Sequence, residues 1–167
     1  MSIRDKVVPL AMALICLLST QSGCDEGRSV EISRDLEQSR ITSPNGLLDA
    51  VLVREDGGGA AGGWEWYVYL VSKGSAVSTG PGAIFNAGTL KGCTLTWNSP
   101  YLLNVGYDIA HINQFSNLWD ASALQRSANV SEQDRALIRR EYMVEIRLMP
   151  SSPGYSLLTP TGDFKPR

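Results

Sequence analysis

The sequence predicts an α+β chain that is mainly β, an antiparallel meander sheet of about five strands with one or two short helices before the last strand. Apolar residues alternate with period two in several runs, as in Trp64 to Val71 and Tyr142 to Leu148. The connections between these runs are short and rich in Gly, Pro and Asn, which favours hairpins over crossovers. Helix-start signals occur only late, at Asp120 and Ser131. With 167 residues and 43% hydrophobic content, the chain has room for one core and none for two catalytic domains.

Met1 to Lys6 is a short basic segment with Arg4 and Lys6, and Val7 to Leu18 is an apolar run. At 1.5 Å rise per residue, twelve helical residues fall short of a bilayer core of roughly 30 Å. Residues 1–23 therefore read as an export signal, to be left out of the fold. Residues 25 to 40 are densely charged with both signs, and read as a solvated tether with a possible helical turn near Asp35. The formal charge of −2 becomes −3 once Arg4, Lys6 and Asp5 leave with the leader, and no basic stripe for nucleic acid is present.

The domain proper is expected over residues 41–150. Ser43-Pro44-Asn45-Gly46 is a turn, since Pro44 presets φ and Asn45-Gly46 tolerates positive φ. In the strand that follows, Leu48, Ala50 and Leu52 share one face, while Val51 and Val53 make the other apolar too. Trp66, Val68 and Leu70 oppose Tyr67, Tyr69 and Val71 in the next, so both strands should be covered on two sides. Residues 72 to 92 read as a loop, Cys93 to Trp97 as a third strand, Asn98 to Tyr101 as a turn and Leu102 to Ile109 as a fourth strand. Asp120 can cap a short helix through Arg126, and Ser131 with Asp134 resembles a capping box opening a second. The fifth strand, Tyr142 to Leu148, stops at Pro150, and residues 151–167 form an irregular tail.

Gly57, Gly59 and Gly62 have the G-x-G-x-x-G spacing of a dinucleotide cradle. Such a cradle needs a helix behind the glycines and an acid about twenty residues on. An aromatic strand follows instead, with no Asp or Glu between Glu65 and Asp108, so a glycine-rich hairpin connection is expected and no cofactor. His111 is the only histidine, which excludes a two-histidine metal site within one chain. A dyad of His111 with Asp108 or Cys93 would meet the minimum for nucleophilic catalysis, but no nucleophile elbow accompanies it, and the chain reads as non-enzymatic. Cys93, between Gly92 and Thr94, is expected to be a buried inert thiol. The aromatic residues should mostly pack inside, with Trp64 and Tyr101, beside turns, left as the candidate binding surface for a protein or glycan of the cell envelope.

Leu18 to Cys24, L-S-T-Q-S-G-C, resembles the end of a bacterial lipoprotein signal peptide. The resemblance implies cleavage before Cys24, a diacylglyceryl group on its thiol and acylation of the new amine, hence a membrane anchor facing the periplasm or exterior. Gln21 stands where that family usually has Leu, and an ordinary secretory cut after Ser22 is the alternative; Cys24 and Cys93 could then pair as a disulfide in a soluble periplasmic binder. Asp25 resembles the inner-membrane retention signal of enteric lipoproteins. A second likeness covers residues 43 to 117: S-P-N-G, D-A-V, the glycine-rich turn and W-N-S-P-Y-L-L resemble a group of small exported bacterial proteins of unknown function. Asn45 replaces that group's commoner Asp, and Ala61-Gly62 replaces a Thr pair. The likeness implies an envelope location and supplies no activity. The alternatives left open are a small hydrolase-like enzyme centred on His111 and the soluble binder.

Overall fold

The computed structural model describes residues 29–57 and 63–151. The leader, Cys24, the first part of the tether, Gly59, Gly62 and residues 152–167 lie outside the described residues.

The protein is mainly β, built on a five-stranded antiparallel sheet with a second sheet packed against it. The first sheet runs β1 (Glu37–Thr42), β2 (Leu48–Asp56), β3 (Trp64–Ser72), β4 (Phe85–Lys91) and then β7 (Ile109–Phe115). The second has the order β5 (Thr94–Ser99), β6 (Leu102–Tyr107), β9 (Met143–Pro150) and β8 (Leu118–Asp120). A 3₁₀ turn at Ala121–Arg126 and a helix, α1 (Glu132–Arg139), close one end before β9, where the short helices were expected.

The β2–β3 hairpin pairs along its full length, from Leu48 opposite Ser72 to Asp56 opposite Trp64. Leu48, Ala50, Leu52, Val68 and Leu70 enter the main core with Phe85, Leu103, Val105, Val144 and Ile146 from the neighbouring strands. On the reverse side Val51, Val53, Tyr69 and Val71 pack with Ile32 and Val77. That reverse face is roofed by the segment before β1 and the connection after β3, which are joined by Ile32 N–H to Val77 O at 2.8 Å and Thr79 N–H to Val30 O at 2.9 Å. Two-sided burial explains why both strands are nearly continuous apolar runs.

Four expectations change. Residues 37–40, read as tether, form most of β1, because their charges are neutralised on the sheet: Arg40 pairs with Glu37 at 2.6 Å and Asp49 at 2.9 Å. The helical turn near Asp35 does form, as a 3₁₀ turn over Arg34–Leu36. The stretch read as a 72–92 loop contains β4, whose alternation is broken by a register shift between Ala87 and Thr89; Phe85 and Ala87 point inward, and after the shift Leu90 does so. The single run Leu102 to Ile109 is two strands in different sheets, divided at Asp108. Asp108 sits against Gly92, where φ is +64° and an added Cβ would collide with the Asp108 carboxylate. Finally, strict meander order fails at β6 and β9, which run parallel, Leu103 opposite Ile146 and Val105 opposite Leu148. The α1 segment supplies the crossover that a parallel pair needs.

The predicted caps hold. Asp120 accepts from Ser122 N–H at 2.6 Å. Ser131 and Asp134 form the reciprocal capping box, with Ser131 N–H to Asp134 Oδ2 at 2.7 Å and Asp134 N–H to Ser131 Oγ at 3.1 Å. The other Asp134 oxygen accepts from Ser72 Oγ, so the cap of α1 is also its attachment to the end of β3.

Asp49, 2% exposed, is the most demanding buried charge. Burial alone would raise its pKa; the Gly74 N–H, the Thr42 hydroxyl and the Arg40 guanidinium outweigh it and hold the carboxyl below its usual value. A carboxyl depressed in the folded state contributes stability that is present above its unfolded pKa, about 4, and lost as pH falls through the folded value. Asp49→Ala should cost about 3 kcal/mol, since it leaves Arg40 and the Gly74 N–H short of a partner. Urea denaturation at neutral pH measures that loss, and the variant should show a smaller fall in stability than wild type between pH 5 and pH 3.

Candidate functional site

The two aromatic residues expected at the surface are exposed, Trp64 by 52% and Tyr101 by 58%. They do not share a platform. Trp64 opens β3 at the glycine-rich end of the hairpin, whereas Tyr101 follows β5 and neighbours Asn45, which precedes β2. Nine residues of β2 lie between these levels, roughly 27 Å at strand rise.

At the hairpin end, the Arg54 guanidinium lies 4.3 Å from the Trp64 ring centre and 5.7 Å from that of Trp66. All three side chains follow from register, since Arg54 faces Trp66 directly and Trp64 is its diagonal neighbour. Gly57 N–H bonds to Gly63 O at 2.7 Å, so the strands stay joined up to the loop and no helix follows the glycines. On the reverse face Glu65 accepts from Tyr67 Oη at 2.7 Å and Asn86 Nδ2 at 3.0 Å. Burial first, then the Glu65 acceptor, push the Tyr67 hydroxyl up to about 12, which keeps it a neutral donor.

Around Tyr101 the surface is a cleft of about 370 Å³. Its floor is Tyr142, whose ring lies 5.1 Å from that of Tyr101 at 32°. The Tyr142 hydroxyl donates to Pro100 O and accepts from Asn45 Nδ2, each at 2.8 Å, so the floor ring is fixed by the two turns that bracket it. Leu47 and the half-exposed Met143 add apolar walls, and Arg140 and Glu141 stand at the rim without an ion-pair partner among the described residues. Glu141 has φ of +49°, unusual for a residue with a side chain, at the tight exit from α1. Sequence reading missed Tyr142 and Arg140 as parts of this cleft; the period-two pattern placed Tyr142 in a strand without revealing that its hydroxyl ties two turns.

The residues of the dyad do not assemble. His111 is exposed in β7, while its neighbours Ala110 and Ile112 pack on the core, which puts the imidazole on the opposite face. Cys93 packs half-buried against that core, and burial pushes its thiol up to about 11. Asp108 is held at the sheet junction, accepting from Ser151 Oγ. Among the described residues no hydrogen bond joins His111 to either partner, and no cluster of three metal-ligating side chains is present.

Compared with known proteins, the chain matches no family model, no curated protein and no solved structure.

With a pKa near 11, Cys93 should be almost wholly thiol at pH 8, where an ordinary cysteine near 8.5 is partly thiolate. Iodoacetamide labelling followed by mass spectrometry should therefore be slow in the native protein and at least about tenfold faster in denaturant. Trp64→Ala should cost no more than about 1 kcal/mol in thermal or urea unfolding, since only surface packing and the Arg54 contact are lost.

Proposed function

We propose that the protein is a lipid-anchored, non-enzymatic component of the bacterial cell envelope, which holds a partner protein in the cleft beneath Tyr101. The observation that carries this reading is the exposed Tyr101 ring stacked over a fixed Tyr142, with Met143 and Leu47 at its sides. Rigid aromatic and methionine side chains in a recess, ringed by charge, are the usual anchors of protein interfaces. The anchor itself rests on the lipoprotein-like residues ending at Cys24, and the envelope address on the likeness of residues 43 to 117 to small exported proteins. Several acyl chains on one residue exceed what lasting membrane attachment requires. No helix among the described residues is long and apolar enough to cross a membrane. Among the described residues His111 makes no hydrogen bond to Asp108 or Cys93 and stands exposed on the sheet, which supports a binding role over a hydrolytic one.

Affinity capture from envelope extract with residues 25–167 as bait tests the cleft. Tyr101→Ala should weaken retention of the partner by tenfold or more, as expected for an interface anchor worth about 2 kcal/mol, while thermal unfolding stays close to wild type because Tyr101 is exposed. Unchanged capture would remove the cleft from this reading. Acyl labelling and membrane fractionation of Cys24→Ala test the anchor separately: the label should vanish and the protein should become extractable without detergent.

A further inference from the structure

A second recess, of about 220 Å³, lies where the roof over β2 and β3 meets the cap of α1. On the roof side Glu31 stands directly opposite Ser78, in a bridge flanked by Ile32 N–H to Val77 O at 2.8 Å and Thr79 N–H to Val30 O at 2.9 Å. These bonds bypass Glu31 and Ser78 themselves, which makes them a non-hydrogen-bonded pair, with Cβ atoms about 4.5–5.5 Å apart. On the sheet side Ser75 N–H bonds to Ser72 O at 2.9 Å. Ser72 Oγ donates to Asp134, which also takes the Ser131 hydroxyl at 2.8 Å, so this wall is fixed. Ser78 is 6% exposed, and its hydroxyl makes no hydrogen bond among the described residues. Unlike the Trp119 indole nitrogen, that hydroxyl is not sealed inside the protein, and it lines the recess. A buried hydroxyl left unpaired is costly, so native proteins rarely carry one without a use. The side chains of Ser75, Ser127, Asn129 and Glu31 line the same recess and also make no hydrogen bond among the described residues. Val71 and Leu124, both buried, supply its apolar floor, and no Lys or Arg lines it.

We infer that this recess binds a single neutral pyranose ring, its hydroxyls bonded to Glu31, Ser78 and Asn129 and its C–H face laid on Val71 and Leu124. Serine hydroxyls and the Asn129 amide both donate and accept, whereas the Glu31 carboxylate only accepts. A ring carrying several hydroxyls answers all of them, and two neighbouring hydroxyls can share one carboxylate. An alkylammonium ion has donors alone and would leave the Asn129 amide hydrogens unanswered. An anion would meet two acids, Glu31 and Asp134, with no cation to offset them. The recess is smaller than the roughly 300–1,000 Å³ of drug-sized sites, which limits the ligand to one ring. That ring is either a free monosaccharide or the end unit of a glycan. The site is separate from the Tyr101 cleft and stands or falls independently of it.

The test titrates the full chain by calorimetry and ligand-detected NMR with glucose, galactose, mannose, N-acetylglucosamine and their methyl glycosides. At least one should bind saturably, and tighter binding of the glycoside or of the free sugar decides between an end unit and a monosaccharide. Glucuronate, which adds a carboxylate, and glycerol, which lacks the ring, should each bind at least about tenfold more weakly. Ser78→Ala removes a hydroxyl without a partner in the described chain, so thermal unfolding should stay close to wild type while sugar binding weakens about fivefold. Glu31→Gln, at an exposed position, should weaken it about tenfold, and Tyr101→Ala should leave it unchanged. Saturable binding by no sugar, equal binding of glucuronate or glycerol, or Ser78→Ala and Glu31→Gln variants that bind like wild type would each overturn the inference.

Discussion

Everything in this fold depends on the β2–β3 ladder being buried on both faces. One face supports the second sheet, the other the chain segment that precedes β1. Leu48, Ala50, Leu52, Val68 and Leu70 would otherwise lie open on one side, Val51, Val53, Tyr69 and Val71 on the other. At about 25 cal/mol per Å² of apolar surface, leaving either face in water would cost more than a small domain has to spare. The remaining elements can be understood as covers for these strands. Ile32 and Val77 close one side, and β6, β9 and α1 close the other.

Covering a sheet on two sides forces polar groups into places where they must be paired. Asp49 lies at the edge of the roof and is held by Arg40, Thr42 and the Gly74 N–H, which stitches β1, β2 and the turn after β3 together. At the same end of the β2–β3 ladder Asp134 does the same for α1, taking bonds from Ser131 within the helix cap and from Ser72 on β3. In both cases a carboxylate that local sequence would assign to a surface or a cap has become a tertiary joint. A close approach of the same kind occurs at Gly80, where a Cβ would run into the Arg126 carbonyl, so that the 3₁₀ turn can press against the roof.

The places where ligands or partners can be held are by-products of how the covers meet. The Tyr101 cleft exists because the turn before β2, the β5–β6 turn and the exit of α1 converge on one hydroxyl, that of Tyr142. The Ser78 recess exists because the roof, the end of β3 and the cap of α1 meet around it. Neither site belongs to one stretch of chain. The glycine-rich loop, the most motif-like stretch in the sequence, joins two paired strands, and Arg54 beside it is engaged with Trp64 and Trp66.

Local chemistry made much of this legible before any coordinates. The faces of β2 and β3 follow from period two, the cap at Asp120 and the capping box at Ser131 from hydrogen bonds that reach only three residues, and the exposure of Trp64 and Tyr101 from their position beside turns. Each depends on neighbours in the chain, so the residues themselves carry the signal. What required tertiary structure was set by partners far apart in sequence. Glu37 to Arg40 read as tether because Asp49 was not visible as their counter-charge, β4 read as loop because a register shift breaks its alternation, and Leu102 to Ile109 read as one strand because nothing local marks a change of sheet at Asp108. The parallel pairing of β6 with β9, and the meeting of Tyr101 with Tyr142 and of Ser72 with Asp134, were decided by which surfaces remained to be covered once β2 and β3 had been buried.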